Sequence, residues 1–294
     1  QTKYMSLNKK ELNFYKKNGY LVKEKLISNK EINKINILIE KIIKKEEKKK
    51  TRIKNLGGSY NNNFVYNSNS SSKREILRLN NPTYYNKLFF NLSRNKKIIN
   101  IAKKLLGGSV RFHHCKLNFK LPSKKGGEVS WHQDWAFYPH TNDDLITVGV
   151  YLEDCYEENG PLQVIPKSHK KKIFSHHNKS KEFVGKICEK INSKNKKSLT
   201  GKAGTVTFHH VRTVHGSGLN LKNSKRPLML FGYTNTDAWP LTVDASINPN
   251  DNFKKYNQCI IVGKKTLVPR FEKVPLIIPL PKKNVSIYQL QKKN

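Results

Sequence analysis

The order of segments predicts a mainly β protein, a barrel or sandwich with helices packed on one side of it. Three observations carry this expectation. The first third of the chain shows helical periodicity, closed by Gly107-Gly108. From Ser109 onward, short apolar runs rich in β-branched and aromatic residues dominate. The length, 294 residues, suits one domain able to bury a sizeable core. We divide that single domain, 1–294, into a helical part over about 1–108, a β core over about 109–235 and a C-terminal extension over about 236–294.

Residues 7–17 have helical spacing, with Leu12, Phe14 and Tyr15 as apolar positions, and Gly19 ends the run. Tyr20-Leu21-Val22 reads as a short strand. Ser28 and Glu31 form a capping box ahead of a long helix striped by Ile32, Ile35, Ile37, Leu38, Ile39, Ile42 and Ile43. The Gly/Asn/Ser-rich stretch 55–73 reads as a mobile loop. A strand is expected over 76–79, and helices over 82–91 and 96–106. Strands are expected over 110–121, 129–135, 145–152, 162–165, 204–209 and 227–233. The Glu157-Glu158-Asn159-Gly160 segment reads as a turn. The charged segment 169–200 is expected to insert between strands and cover the site.

Charge is the strongest compositional feature: 57 Lys and Arg against 21 Asp and Glu, a formal net charge of +36. Such a field attracts polyanions and allows nucleic-acid binding. The lysine runs show no regular interleaving with aromatics, however, so a solvated Lys-rich surface is the reading taken. Four scattered cysteines, Cys115, Cys155, Cys188 and Cys259, have neither C-x-x-C nor zinc spacing, which points to reduced thiols in a cytoplasmic protein. No apolar run approaches the roughly 20 residues that span a bilayer. The Lys- and Asn-rich beginning has no secretory h-region, and Met5 is read as the natural start. Oligomeric state leaves no mark on the sequence.

The chemistry gathers in two segments, Ser130-Trp131-His132-Gln133-Asp134-Trp135 and His209-His210-Val211-Arg212-Thr213-Val214-His215-Gly216-Ser217-Gly218. Alternate residues of a strand share a face, so His132 and Asp134 can reach one metal ion from an extended segment. His215 is the candidate third ligand, with His209 and His210 as nearby competitors. Two imidazoles and one carboxylate leave coordination positions open and mark non-haem Fe(II) oxygenases. Arg226 follows His215 by eleven residues, at the head of an apolar run.

At these residues the chain resembles the phytanoyl-CoA dioxygenase family of Fe(II)/2-oxoglutarate oxygenases. The matching pattern runs through His132-Gln133-Asp134, Tyr138-Pro139, residues 157–162 and 164–170, His215-Gly216-Ser217-Gly218, Asn220 and Arg226-Pro227, and is clearest over 111–233. The resemblance implies a double-stranded β-helix, or jelly roll, flanked by N-terminal helices. It implies Fe(II) on His132, Asp134 and His215, with 2-oxoglutarate and O2 as cosubstrates and ascorbate as an aid to activity. Arg226 then binds the distal carboxylate of 2-oxoglutarate, a match for its guanidinium fork, with Ser217 as a hydroxyl partner. Lys116, Asn118 and Arg78 are further cosubstrate candidates. Trp135, His140, Gln133 and Tyr138 are candidate substrate contacts. Related iron halogenases lack the carboxylate, so Asp134 points to hydroxylation of an aliphatic C–H on a small, mildly favoured anionic substrate, with succinate and CO2 released. One departure stands out: many relatives carry a Trp where this chain has Gly149-Val150. The competing reading is a non-catalytic basic jelly-roll module that binds nucleic acid or another anionic partner, and the complete ligand set argues against it.

Overall fold

Local chemistry sets the first helix at both ends. In α1 (Lys9–Asn18) the Asn8 side chain accepts from the Glu11 amide at 2.9 Å and the Glu11 carboxylate accepts from the Asn8 amide at 3.0 Å. Gly19, at φ 81°, closes it with an amide bond to Tyr15 O. The computed structural model describes residues 7–48, 64–66, 75–122, 127–242, 249–281 and 287–291. The expected starting Met5 and most of the 55–73 loop lie outside them. β1 (Tyr20–Lys23) follows α1 directly. The Ser28–Glu31 box opens α2 (Asn29–Glu47), which buries Ile32, Ile35, Ile39 and Ile42 and leaves Ile37 exposed. Spacings of three and four residues explain that split.

β2 (Phe64–Tyr66) lies inside the stretch expected to be loop, and pairs with β3 (Ile76–Asn80). The helix expected over 82–91 is two pieces, α3 (Pro82–Tyr85) and α4 (Lys87–Ser93). Asn86 separates them in an extended conformation and caps the second by accepting from the Leu88 amide. α5 (Lys96–Leu105) completes the helical part. The strands then run β4 (Val110–Lys120), β5 (Val129–His132), β6 (Leu145–Tyr151), β7 (Leu162–Val164), β8 (Lys197–Leu199), β9 (Val206–His210), β10 (His215–Ser217) and β11 (Arg226–Thr234). The tail adds α6 (Pro249–Gln258), β12 (Ile260–Val262) and α7 (Ile287–Leu290).

Two antiparallel sheets form the jelly roll. The larger runs β1-β9-β6-β11-β4-β3-β2, with β12 added beside β4; the smaller runs β5-β10-β7-β8. Period-two alternation sorts the larger sheet's side chains. Phe112, Leu117, Phe119, Val148, Phe208 and Phe231 point into one core with the apolar stripes of α2 and α5. The alternate set, including Lys116, Asn118, Lys120, Thr147, His209, Leu228 and Leu230, lines a cavity that the smaller sheet helps to close. The strand expected over 129–135 ends at His132, and Asp134 opens a one-turn 3-10 helix (Asp134–Ala136). The segment 169–200 is largely irregular. Its Ile187 amide donates to Trp131 O, and Phe183 packs edge-on against Phe137 at 5.1 Å. The cavity wall contains none of its residues and instead includes Ile287 and Tyr288 of α7. Among the described residues no helix is long and apolar enough to cross a membrane.

Candidate metal centre

Cross-strand pairing brings the two histidines together. His132 on β5 stands directly opposite His215 on β10, and their ring centroids are 4.1 Å apart. The Nδ1 of His132 lies 2.8 Å from Ser130 O, and that of His215 lies 2.9 Å from Thr213 O. A carbonyl accepts from Nδ1–H, which fixes the tautomer and leaves each Nε2 lone pair free. Asp134 reaches the same point from the turn after β5. Its Oδ1 lies 3.9 Å from His132 Nε2 and 3.8 Å from His215 Nε2. These gaps are too long for hydrogen bonds, yet two metal–ligand bonds of about 2.1 Å span them. His132, Asp134 and His215 are all buried, and among the described residues they are the one group of His, Cys, Asp and Glu that could hold a metal ion.

The electrostatics suit a cation. Burial pushes His132 down, and burial with the neighbouring His132 and His209 pushes His215 well down, so both imidazoles are neutral at neutral pH. Burial raises Asp134, but His215, His209 and Lys116 outweigh it and hold the carboxyl well below its usual range. Neutral imidazoles and an ionised carboxylate are the forms that bind metal. Thr147 Oγ1 donates to Asp134 Oδ2 at 2.6 Å, and His209 Nε2 lies 3.5 Å from the same oxygen. Both contacts leave Oδ1 facing the imidazoles.

A second feature lies along the cavity from the cluster. Arg226 on β11 stands opposite Lys120 on β4. Arg226 is buried, and its Nε and Nη1 have no hydrogen-bond partner among the described residues. Buried donors without a partner among the described residues leave these N–H groups free to meet an acceptor from outside the chain. Lys120 Nζ donates to Ser217 Oγ at 2.8 Å, to Gly127 O at 2.6 Å and to Gly218 O. Burial first, and then the Arg226 charge, pushes this ammonium down to about 7. The cavity measures about 80 Å³, and its wall carries four positive side chains, Arg78, Lys116, Lys120 and Arg226, against the carboxylate of Asp134.

The other expected residues divide into two sets. Arg78, Lys116, Asn118 and Ser217 all line the cavity, and Arg78 Nε donates to Asn118 Oδ1 at 3.0 Å. Trp135, Gln133 and His140 stand outside it. The Trp135 indole donates to Pro275 O within an apolar cluster of Leu145, Ile173, Val211 and Ala238. Gln133 ties backbone together, donating to Arg212 O and accepting from the Phe174 amide. His140 faces His113 at 5.0 Å. Tyr138 lines a smaller adjoining cavity with His114 and Asp134. His210 contacts the His169 ring rather than the cluster. At Gly149 a Cβ would come within 2.7 Å of Thr207 Oγ1, so any side chain there requires Thr207 to shift. Sequence reasoning passed over Lys120, Thr147 and Tyr288. Only Lys120 had a signal, the 116-118-120 alternation along β4.

A family profile described as "Phytanoyl-CoA dioxygenase (PhyH)" matches residues 15–228. A "Probable alpha-ketoglutarate-dependent hypophosphite dioxygenase" of Stutzerimonas stutzeri is 36% identical over 278 residues, covering 91% of this chain and 90% of that protein. The "L-proline trans-4-hydroxylase" of Streptomyces griseoviridis is 31% identical over 178 residues, 51% of this chain and 65% of that one. Among solved structures, the non-heme alpha ketoglutarate dependent carbocyclase SnoK from nogalamycin biosynthesis superposes with a TM-score of 0.64 at 20% identity, over 84% of this chain and 94% of that one. EctD from S. alaskensis gives 0.62 at 22% identity, over 78% and 77%. Both structures share the fold.

Proposed function

The chain belongs to the phytanoyl-CoA dioxygenase family, and we propose that it uses Fe(II) and 2-oxoglutarate to oxidise a small anion held in the cation-rich cavity. The family's dioxygenase activity is the chain's own; the substrate class and the residue roles are our reading. The observation that carries the reading is the cavity itself: Arg78, Lys116, Arg226 and the titrating Lys120 against one carboxylate, around a site that fits a divalent ion. Hypophosphite is the chemistry named for the Stutzerimonas relative. Oxygen insertion into one of its P–H bonds gives hydrogen phosphite, just as insertion into a C–H bond gives an alcohol.

His132, Asp134 and His215 would hold the iron. Ser130 O, Thr213 O and Thr147 Oγ1 lock their orientation, which is how outer contacts tune a metal site. Arg226 would grip the distal carboxylate of 2-oxoglutarate, with Ser217 beside it and Lys120 behind Ser217. Asn118 and Arg78 would complete that wall. When bound, Fe(II) and 2-oxoglutarate together supply the oxidative decarboxylation that gives succinate and CO2 and delivers one atom of O2 to the substrate. The apolar Val129, Leu162, Leu228 and Leu230 line part of this space and would help to exclude water from it once it is filled. The single-domain division 1–294 belongs to the same reading and is supported by the core that α2 and α5 share with the larger sheet. So does a cytoplasmic setting, supported by Cys115 and Cys155 packing apart as buried thiols.

The test is succinate release with Fe(II), ascorbate and 2-oxoglutarate, with hypophosphite, L-proline or ectoine added separately. Hypophosphite should stimulate release and yield phosphite in equal amount. Stimulation by L-proline or ectoine alone would contradict the anionic-substrate reading and favour the C–H hydroxylation expected from the sequence.

Lys120 makes a pH prediction. A carboxylate arriving at Arg226 and Ser217 favours the charged ammonium, so the pKa of Lys120 in the complex lies above its value of about 7 in the free protein. Between those two values 2-oxoglutarate binding draws in a proton, and affinity falls as pH rises. Calorimetry at about pH 8, in buffers of different ionisation enthalpy, should show proton uptake of up to about one per site. No uptake would contradict the assignment.

A further inference from the structure

Lys116, Asn118 and Lys120 alternate along β4 and all face the cavity, but they serve different ends of it. Opposite β11, Lys120 pairs with Arg226, Asn118 with Leu228 and Lys116 with Leu230. At about 3.3 Å per residue, Lys116 stands roughly 13 Å along the strand from Lys120. Lys120 therefore stands at the Arg226 end of the cavity, and Lys116 lies further along the strand from it. The Lys116 ammonium instead lies 5.3 Å from the centroid of the Tyr138 ring. Tyr138 in turn stacks on His114, with centroids 4.5 Å apart and planes at 29°.

The backbone builds this platform. The pairing of β4 with β11 shifts register between Gly232 and Tyr233, leaving His113 as the extra residue of a bulge. The His114 ring fills the space a side chain would need at Gly232, where a Cβ would meet it at 2.5 Å. Among the described residues the ion-pair contacts of Asp134 are all to histidines, and Lys116 pairs with no carboxylate. Lys116 and Asp134 line the same cavity, and Tyr138, whose ring the ammonium faces, borders Asp134 in the adjoining one, so an aromatic face rather than an anion holds the cation on the Asp134 side. Once a divalent ion and the 2-oxoglutarate dianion are in place, Arg78, Lys116, Lys120 and Arg226 still outweigh the negative charge. A neutral substrate leaves that excess standing, and an anion reduces it.

We propose that Lys116 recognises the substrate's negative charge, seating a small oxyanion between the Tyr138 platform and the Asp134 side of the metal cluster. This rests on the dioxygenase reading above and replaces the cosubstrate contact expected from the strand position of Lys116. The ammonium donates to an oxyanion oxygen and turns the oxidisable bond toward the metal. Substrates of this class carry one compact negative group close to the bond that is oxidised.

The experiment is equilibrium dialysis of hypophosphite, under argon, against protein loaded with Fe(II) and 2-oxoglutarate. Wild type, Lys116→Gln and Lys116→Arg are compared, with 2-oxoglutarate affinity read from the visible absorption of its iron chelate. Lys116→Gln should weaken hypophosphite binding roughly tenfold to a hundredfold, the loss of one charge-assisted hydrogen bond, while 2-oxoglutarate affinity stays within about twofold. Lys116→Arg should recover most of the loss. Unchanged hypophosphite binding in Lys116→Gln overturns the proposal and leaves the anionic-substrate reading standing. A loss of 2-oxoglutarate affinity instead returns Lys116 to the cosubstrate and overturns it too. Wild type that binds no hypophosphite overturns both.

Discussion

Asp134→Ala is expected to reduce succinate formation by at least about a thousandfold, a loss of roughly 4 kcal/mol in transition-state stabilisation, and to remove tight Fe(II) binding. The size of the effect follows from the arrangement. Asp134 supplies the only negative charge of the three-residue cluster, and its Oδ1 sits within 4 Å of both imidazole Nε2 atoms. Without it, two neutral imidazoles face four cations across a cavity of about 80 Å³, and a divalent ion gains little by entering. Asp134→Asn separates charge from shape. The amide oxygen can still accept from Thr147 Oγ1, yet the charge is gone, so iron affinity should fall nearly as far. Circular dichroism and thermal unfolding check folding independently. Either variant should fold as wild type does, because Asp134 serves the cluster and not the apolar core. Activity retained in both would remove Asp134 from the site.

Arg226→Met should raise the KM for 2-oxoglutarate roughly thirtyfold or more. Truncating one partner of a buried, hydrogen-bonded charge pair costs about 2–5 kcal/mol, and about 1.4 kcal/mol is a factor of ten. Met keeps an unbranched apolar side chain at this buried position while deleting the fork. The rate at saturating cosubstrate should change far less if Arg226 holds the end of 2-oxoglutarate that does not react. Arg226→Lys should recover only part of the affinity, because an ammonium cannot reproduce two parallel N–H donors. Among the described residues the Nε and Nη1 of Arg226 have no hydrogen-bond partner, which leaves both donors free for a ligand. A KM unchanged in Arg226→Met would mean that the distal carboxylate lies elsewhere, with Arg78 the next candidate by position.

The residues of the cluster were legible in the sequence, but the reason they converge was not. Alternation along one strand appeared to bring His132 and Asp134 to a common face. In the fold the strand stops at His132, and Asp134 swings back from a 3-10 turn. The partner strand of His132 is only His215-Gly216-Ser217, too short and too polar to register as a strand, yet it fixes the pair of imidazoles. Capping chemistry was more reliable, as the Ser28–Glu31 box shows, because it depends on neighbours in the chain. Asn86 broke an expected helix for the same local reason, as a cap in mid-run. Thr147 carried no signal: within Leu145–Tyr151 a threonine is simply a good strand former. The aromatic setting of Trp135 suggested a pocket, but its indole is spent on Pro275 O in a region that no local pattern links to it. Tyr288 lies in a four-residue helix amid Lys and Asn, and it reaches the cavity only through tertiary packing.

His132, Asp134 and His215 should share one ferrous ion while Arg226 holds the cosubstrate. A crystal structure of protein loaded with Fe(II) and 2-oxoglutarate under argon, with anomalous scattering recorded at the iron edge, tests it most directly. The expected result is a single iron bonded to His132 Nε2, Asp134 Oδ1 and His215 Nε2, with a carboxylate of 2-oxoglutarate on the Arg226 guanidinium. Iron bound through His209 in place of His215, or a cosubstrate whose carboxylates both avoid Arg226, would contradict it.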